Sequence, residues 1–140
     1  MSEEEHINPF ETGQSPAIRQ VMMPRDTNAL GTIFGGVILS NIDLAAAIEA
    51  HKYHCGKVVT VSMDKVEFKH PVNVGDLLSC FTETLRTGRT SMLIKVSVWA
   101  QRSFGGGKEE YVTEAQVTMV AVDEEFHPTP INGKSKLKGK

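Results

Sequence analysis

The sequence predicts an α+β domain in which one long helix is wrapped by a curved antiparallel sheet of about five strands. Three observations carry that expectation. An apolar run led by glycines, from Gly35 to about Tyr53, has the length and boundaries of a helix. One strand-like segment precedes it and four follow, with connections short enough for antiparallel pairing. Apolar residues occupy most sides of the helix, so a sheet that curves around it covers it better than a flat one.

Ile18 to Met23 is the first strand. A loop containing Pro24, Asn28 and Gly31 leads to Gly35-Gly36, which read as the loop-to-helix junction, and Gly56 stops the chain beyond the helix. Val58 to Lys69 places Val59, Val61 and Met63 on one face and then switches phase to Val66 and Phe68, which predicts a bulge near Asp64-Lys65. Residues 70–76, HPVNVGD, form a turn. Leu77 to Arg86 is the next strand, and Thr87-Gly88-Arg89 closes a hairpin into Ser91 to Ala100, where Met92, Ile94, Val96, Val98 and Ala100 alternate cleanly. Gly105-Gly106-Gly107 is a turn before the last strand, Tyr111 to Val122. The polar, acidic residues 1–15 and the basic residues 128–140 are expected to be flexible, which leaves residues 16–127 as one domain.

With 140 residues, 40% hydrophobic and 23% charged, the chain can bury a real core. Fifteen basic against seventeen acidic residues give a net charge of −2, which argues against nucleic acid as the main partner. No apolar run is long enough to span a membrane, and Met1-Ser2-Glu3-Glu4-Glu5 is acidic where a secretion signal is basic, so a cytoplasmic protein is expected. Cys55 and Cys80 lack metal-site or disulfide spacing and are expected to be reduced thiols. His51, His54 and Cys55 gather at the helix end without a recognisable fourth ligand, so no metal is expected.

Asp43 asks for a reason. At 100° per residue it shares a helix face with Gly36, Leu39, Ala46, Ala47 and Ala50, whereas Val37, Asn41, Leu44, Ile48 and Lys52 lie opposite. Small residues let a sheet, a second subunit or a substrate come close. A carboxylate at such a contact must be paired, or desolvation raises its pKa or costs several kcal/mol, order-of-magnitude. It therefore either binds a neighbouring polar group or does chemistry, and the face alone leaves both open. Asn41 reads as ordinary surface or packing polarity. The Gly35 and Gly36 N–H groups, at the positive end of the helix, could bind an anion or polarise a carbonyl. The small face would be closed by a second copy, which makes a homodimer the expected minimum.

Taken in order, MPRDTN (Met23 to Asn28), IFGG (Ile33 to Gly36), the helical Asp43, VVTVSMDKVEF (Val58 to Phe68), PVNVGD (Pro71 to Asp76) and GRTS (Gly88 to Ser91) form a pattern. It resembles the hotdog fold, and within it the bacterial YciA-type acyl-CoA thioesterases and the related brain-type acyl-CoA hydrolases, from about Ile18 to Val122. The resemblance implies hydrolysis of the acyl-coenzyme A thioester, no cofactor, and active sites shared across a dimer, with dimers commonly gathered in threes. It places the family's carboxylate at Asp43, its loop asparagine at Asn28 and its helix-start glycines at Gly35 and Gly36.

The chemistry follows from those residue types. The glycine N–H groups would stabilise the oxyanion, Asp43 would activate water or attack the carbonyl, and Asn28 would hold the water or the carbonyl. Arg89, Thr90 and Ser91, with Lys57 behind them, are the residues expected to meet the phosphates of coenzyme A. Position 37 is Val where such thioesterases often have Trp, which bears on chain-length preference. Two other readings are a non-catalytic acyl-CoA sensor and a hotdog hydratase or dehydratase; the latter needs a histidine near Asn28 or Asp43, and the sequence places none there.

Overall fold

A computed structural model of the chain describes residues 6–102 and 107–132. Helix α1 (Pro9–Thr12) and strand β1 (Ile18–Val21) precede a 3-10 turn (Pro24–Asp26) and the long helix α2 (Gly35–Ala50). Strands β2 (Lys57–Asp64), β3 (Leu77–Thr87), β4 (Ser91–Gln101) and β5 (Glu109–Val122) follow. The strands form one antiparallel sheet in the order β1-β3-β4-β5-β2. Helix α2 touches β2, β3, β4 and β5, so the sheet curls around it. Among the described residues no helix is long and apolar enough to cross a membrane.

The core lies between α2 and the concave face of the sheet. Ile38, Ile42 and Ala45 of α2 meet Leu78 of β3, Ile94, Val96 and Val98 of β4, and Val117 and Met119 of β5, all buried. The clean alternation of β4 thus has a direct cause: its even-numbered residues from Met92 to Ala100 face the helix. Two polar residues share that interface. Asn41 is buried and donates from Nδ2 to the Val37 carbonyl at 2.9 Å, so its polarity is of the packing kind and is satisfied within the helix. Glu49 accepts from Thr82 at 2.9 Å and from Thr84 at 2.7 Å, and pairs with Lys52 at 2.9 Å. Burial alone would raise its pKa, but the hydrogen bonds from Lys52, Thr84 and Thr82 outweigh it and hold the carboxyl below the ordinary glutamate value.

Several boundaries differ from the sequence expectation. Helix α2 ends at Ala50, with His51 as its cap, short of Tyr53. The long segment after it bulges between Thr60 and Ser62, and the strand stops at Asp64 because Lys65 turns into the left-handed region at φ +64°. The phase switch read near Asp64-Lys65 marks that exit from the ladder, not a bulge within it. β1 stops at Val21. Of the three-glycine turn, Gly105 and Gly106 lie outside the described residues, and Gly107 has φ +78°.

Cover on the helix is also less complete than its composition suggests, since Leu44 and Ile48 are 59% and 48% exposed. Both ends of the described chain pack on the domain. Asn8 caps α1 and bonds Glu109 at 3.0 Å, while Phe10 stands edge-on to Phe81 and Trp99. Pro128 bridges Val122, Ile131 N–H donates to the Arg89 carbonyl at 2.9 Å, and Asn132 N–H donates to His54 Nδ1 at 3.3 Å.

Glu49→Ala removes charge-assisted bonds and leaves two half-buried hydroxyls without their acceptor, so it should lower unfolding free energy by about 1–3 kcal/mol in urea titration. Because the folded pKa of Glu49 is depressed, its contribution is present above the unfolded value and is lost as pH falls; the wild-type advantage over Glu49→Gln should shrink below about pH 4.5. Burial pushes the Cys80 thiol up to about 12, whereas Cys55 is exposed. A native-state thiol titration should therefore label Cys55 and leave Cys80 unlabelled until denaturant is added.

Candidate active site

The loop before α2 is shaped by its own polar groups. Asn28 Oδ1 accepts from Leu30 N–H at 2.8 Å and Thr32 N–H at 3.3 Å, and its Nδ2 donates to Thr32 Oγ1 at 3.2 Å. The turn so formed has Gly31 at φ +90°, and Thr27 bridges Ile33 to close it. Asn28 thus spends its oxygen on the loop and keeps one amide hydrogen to donate. At the end of the loop, Ile33 N–H donates to the Val72 carbonyl at 2.9 Å and Phe34 N–H to the Asp26 carbonyl at 2.8 Å. The start of α2 is thereby tied both to the 70–76 turn and to the 3-10 turn.

Beyond that tie the backbone is open. Val37 N–H closes on the Phe34 carbonyl at 2.9 Å, while the N–H groups of Gly35 and Gly36 have no partner among the described residues. A cavity of about 310 Å³ opens beside Gly35, lined by the apolar Ile33, Ile38, Phe68, Pro71 and Val72 and also by Lys69 and His70, a histidine that the sequence did not place near the site. A Cβ at Gly36 would come within 2.5 Å of the Phe34 ring, so glycine there lets the ring lie against the helix start. Mainly apolar walls beside unpaired donors, with Lys69 and His70 as the polar part of the lining, suit a ligand with a polar, electron-rich group on an apolar body.

Asp43 lies two turns further along the same helix, about 10 Å from Gly36 at 1.5 Å per residue. It is half-buried, and its Oδ1 accepts a hydrogen bond from Thr60 Oγ1 at 2.5 Å. Thr60 sits on β2 next to the bulge, and the same hydroxyl lies 3.4 Å from Met119 Sδ. The bond fixes one carboxylate oxygen and leaves the other free to act. Sequence reasoning missed Thr60, because a threonine in a strand is ordinary; only the register that sets it against the helix gives it a role.

β2 is an edge strand, and Val61 on it is 61% exposed, as are Leu44 and Ile48 on the neighbouring helix. Asp43 and Thr60 therefore sit beside an uncovered apolar strip and an unpaired strand edge.

The residues expected to meet coenzyme A separate into two groups. Lys57 is engaged: its Nζ is 3.1 Å from Glu124 and lies over the Phe126 ring at 4.7 Å. Arg89, Thr90 and Ser91 form the tip of the β3–β4 hairpin, with Arg89 exposed. The ladder runs from Thr60 through Met119 to Met92, one residue after Ser91, so this tip lies at the same end of the sheet as Thr60. Among the described residues no cluster of His, Cys, Asp and Glu could hold a metal.

Comparison with known proteins gives these features a family. The Thioesterase superfamily model matches residues 30–103, which include Gly35, Gly36, Asp43, Thr60 and the hairpin tip. The acyl-CoA thioester hydrolase YciA of Salmonella typhimurium is 40% identical over 116 residues, covering 81% of this chain and 87% of that protein. The hexameric hotdog fold thioesterase of Campylobacter jejuni superposes with a TM-score of 0.81 at 47% identity, over 89% of this chain and 93% of its own. An acyl-CoA hydrolase from Staphylococcus aureus, solved with butyryl coenzyme A and coenzyme A, gives 0.74 at 34% identity, over 83% and 70%. The chain has the hotdog fold and belongs to the thioesterase superfamily, alongside the YciA-type acyl-CoA thioester hydrolases.

Proposed function

We propose that this acyl-CoA thioester hydrolase works with Asp43 as general base or nucleophile, held by Thr60, and with the Gly35-Gly36 helix start as its oxyanion site. The observation that carries the reading is the Thr60–Asp43 hydrogen bond, which keeps a carboxylate in one orientation on a helix face where structure alone requires no acid. Water gives a proton to the free Asp43 oxygen as it attacks the thioester carbon; on the nucleophilic route that oxygen attacks first, and once the thiolate has left, water hydrolyses the acyl–Asp43 anhydride to free acid and the restored carboxylate. Negative charge then develops on the carbonyl oxygen, where the two glycine N–H groups stabilise it. Carbon–sulfur cleavage releases coenzyme A as the thiolate, a leaving group that needs no metal. The remaining amide hydrogen of Asn28 holds the water or the carbonyl, and the apolar side of the cavity beside Gly35, formed by Ile33, Ile38, Phe68 and Val72, receives the acyl chain.

One chain cannot place both ends of this machinery on one thioester, because Asp43 lies about 10 Å from Gly36 along the helix. A second copy, seated on Leu44, Ile48, Val61 and the β2 edge, would bring its own helix start and Asn28 opposite Asp43. The similar Campylobacter jejuni protein is hexameric, which supports a trimer of such dimers here. Arg89, Thr90 and Ser91 are the proposed phosphate contacts of coenzyme A, with Lys57 released to them only if its Glu124 pair opens.

Asp43→Ala should lower kcat/KM for acyl-CoA hydrolysis by about a thousandfold, measured as free thiol release, while calorimetry still detects coenzyme A binding; undiminished turnover would sink the assignment. Thr60→Val should cost about ten- to a hundredfold, the value of one charge-assisted bond. Thr60→Ser, which keeps the hydroxyl, should restore most of that loss, and a Thr60→Val enzyme as fast as wild type would remove Thr60 from the mechanism.

A further inference from the structure

A second cavity, of about 300 Å³, lies on the face of the sheet turned away from α2. Its position follows from strand alternation. Thr82 and Thr84 point toward Glu49 on the helix side, so Phe81 and Glu83 point the other way. Likewise, Val96 and Val98 enter the core while Lys95, Ser97 and Trp99 face outward. The thickness of the sheet therefore separates this cavity from Asp43 and Thr60.

The N-terminal segment forms its outer wall. Gln14 Nε2 donates to the Thr82 carbonyl at 3.2 Å, Asn8 anchors to Glu109, and the His6 ring stacks on Tyr111 at 3.7 Å between centroids and 14° between planes. Inside, Phe81, Trp99 and Tyr111 supply aromatic surface. Three charged side chains line the space: Glu83, Lys95 and Glu114. Lys95 is 3.5 Å from Glu83, whereas the Glu114 carboxylate has no partner among the described residues.

This combination selects a ligand class. Two carboxylates against one ammonium, itself paired, repel an anion. Aromatic faces carry negative quadrupole density and attract a cation, and an unpaired carboxylate beside them completes the recognition. The volume is at the lower end for small-molecule sites, enough for about ten non-hydrogen atoms. We propose that this outer-face cavity binds a small organic cation, an ammonium or guanidinium group on an apolar or aromatic stem, with Glu114 as its counter-charge. The site is independent of thioester cleavage.

Trp99 is the single tryptophan of the chain and lines the cavity, so its fluorescence reports occupancy directly. Phenethylammonium is titrated into the full-length protein at about pH 8, where histidine side chains are ordinarily neutral, with 3-phenylpropionate as the probe of like body and opposite charge. The ammonium should give a saturable change in Trp99 emission and the carboxylate none. Glu114→Gln should weaken that affinity at least tenfold, and Ser97→Phe, which fills the space, should abolish it. Both variants should keep wild-type acyl-CoA turnover. The absence of a saturable response to the ammonium, an equal response to both probes, or unchanged affinity in Glu114→Gln would each overturn the proposal.

Discussion

The seat of α2 in the curled sheet is the constraint on which the rest of the structure depends. An apolar helix buried on one side must satisfy every polar group it carries inward, and this one carries two. Asn41 solves the problem locally by bonding back to Val37, at no cost in register to the sheet. Glu49 solves it at a distance, because Thr82 and Thr84 lie two apart on β3 and so point to the same face. That pair of bonds fixes both the rotation of α2 about its axis and its height along β3. The rotation in turn decides that Asp43 meets β2 and that Leu44 and Ile48 face outward.

A second node sets the start of the helix. The Arg102 guanidinium bonds Asp76, Glu110 and the Pro71 carbonyl, at the 3.0 Å that Nη2 makes with the last. Asp76 also accepts from Asn73 N–H, so the 70–76 turn is held from both sides. The same turn presents the Val72 carbonyl to Ile33, and through it positions Gly35 and Gly36. The hydrogen bond from Arg102 is also the main cause that holds Glu110 below the ordinary glutamate range. An ion-paired cluster some distance from the carboxylate thus supports the backbone donors, while Glu49 supports the carboxylate itself.

Much of this architecture was legible in the residues. Strand β4 could be read from alternation because one of its faces is wholly buried, and α2 because its apolar run is bounded by paired glycines and Gly56. Asp43 stood out because acids are rare on small-residue faces. The bulge was read a few residues late, since a bulge at Val61 and an exit from the ladder at Lys65 both shift the apparent phase of one strand. Thr60 was silent, as was the Arg102 node, because each acquires its partners from elements far away in sequence. Composition reads both terminal segments as polar and flexible; residues 1–5 and 133–140 lie outside the described residues, while within 6–15 and 128–132 single residues such as Phe10 and Ile131 make contacts with the domain that an average composition hides.

The geometry around Asp43 also explains why the acid can be kept half-exposed in one chain. A carboxylate sealed in an apolar interface needs more than one hydrogen bond, or it takes up a proton and ceases to be a base. Thr60 supplies a single bond from a strand whose other edge is unpaired, so it orients the acid without enclosing it. Further desolvation would then come only when a second copy covers Leu44, Ile48 and Val61 and a substrate occupies the remaining space, with the reacting water as the second hydrogen-bond partner of Asp43. In the proposed dimer, bulk water is excluded at the moment the thioester carbonyl reaches the glycine donors, and only the reacting water stays beside Asp43. The electrostatic value of those donors rises as the local dielectric falls. An isolated chain would hold the correct groups, but at solvent strength and too far apart to act on one carbon.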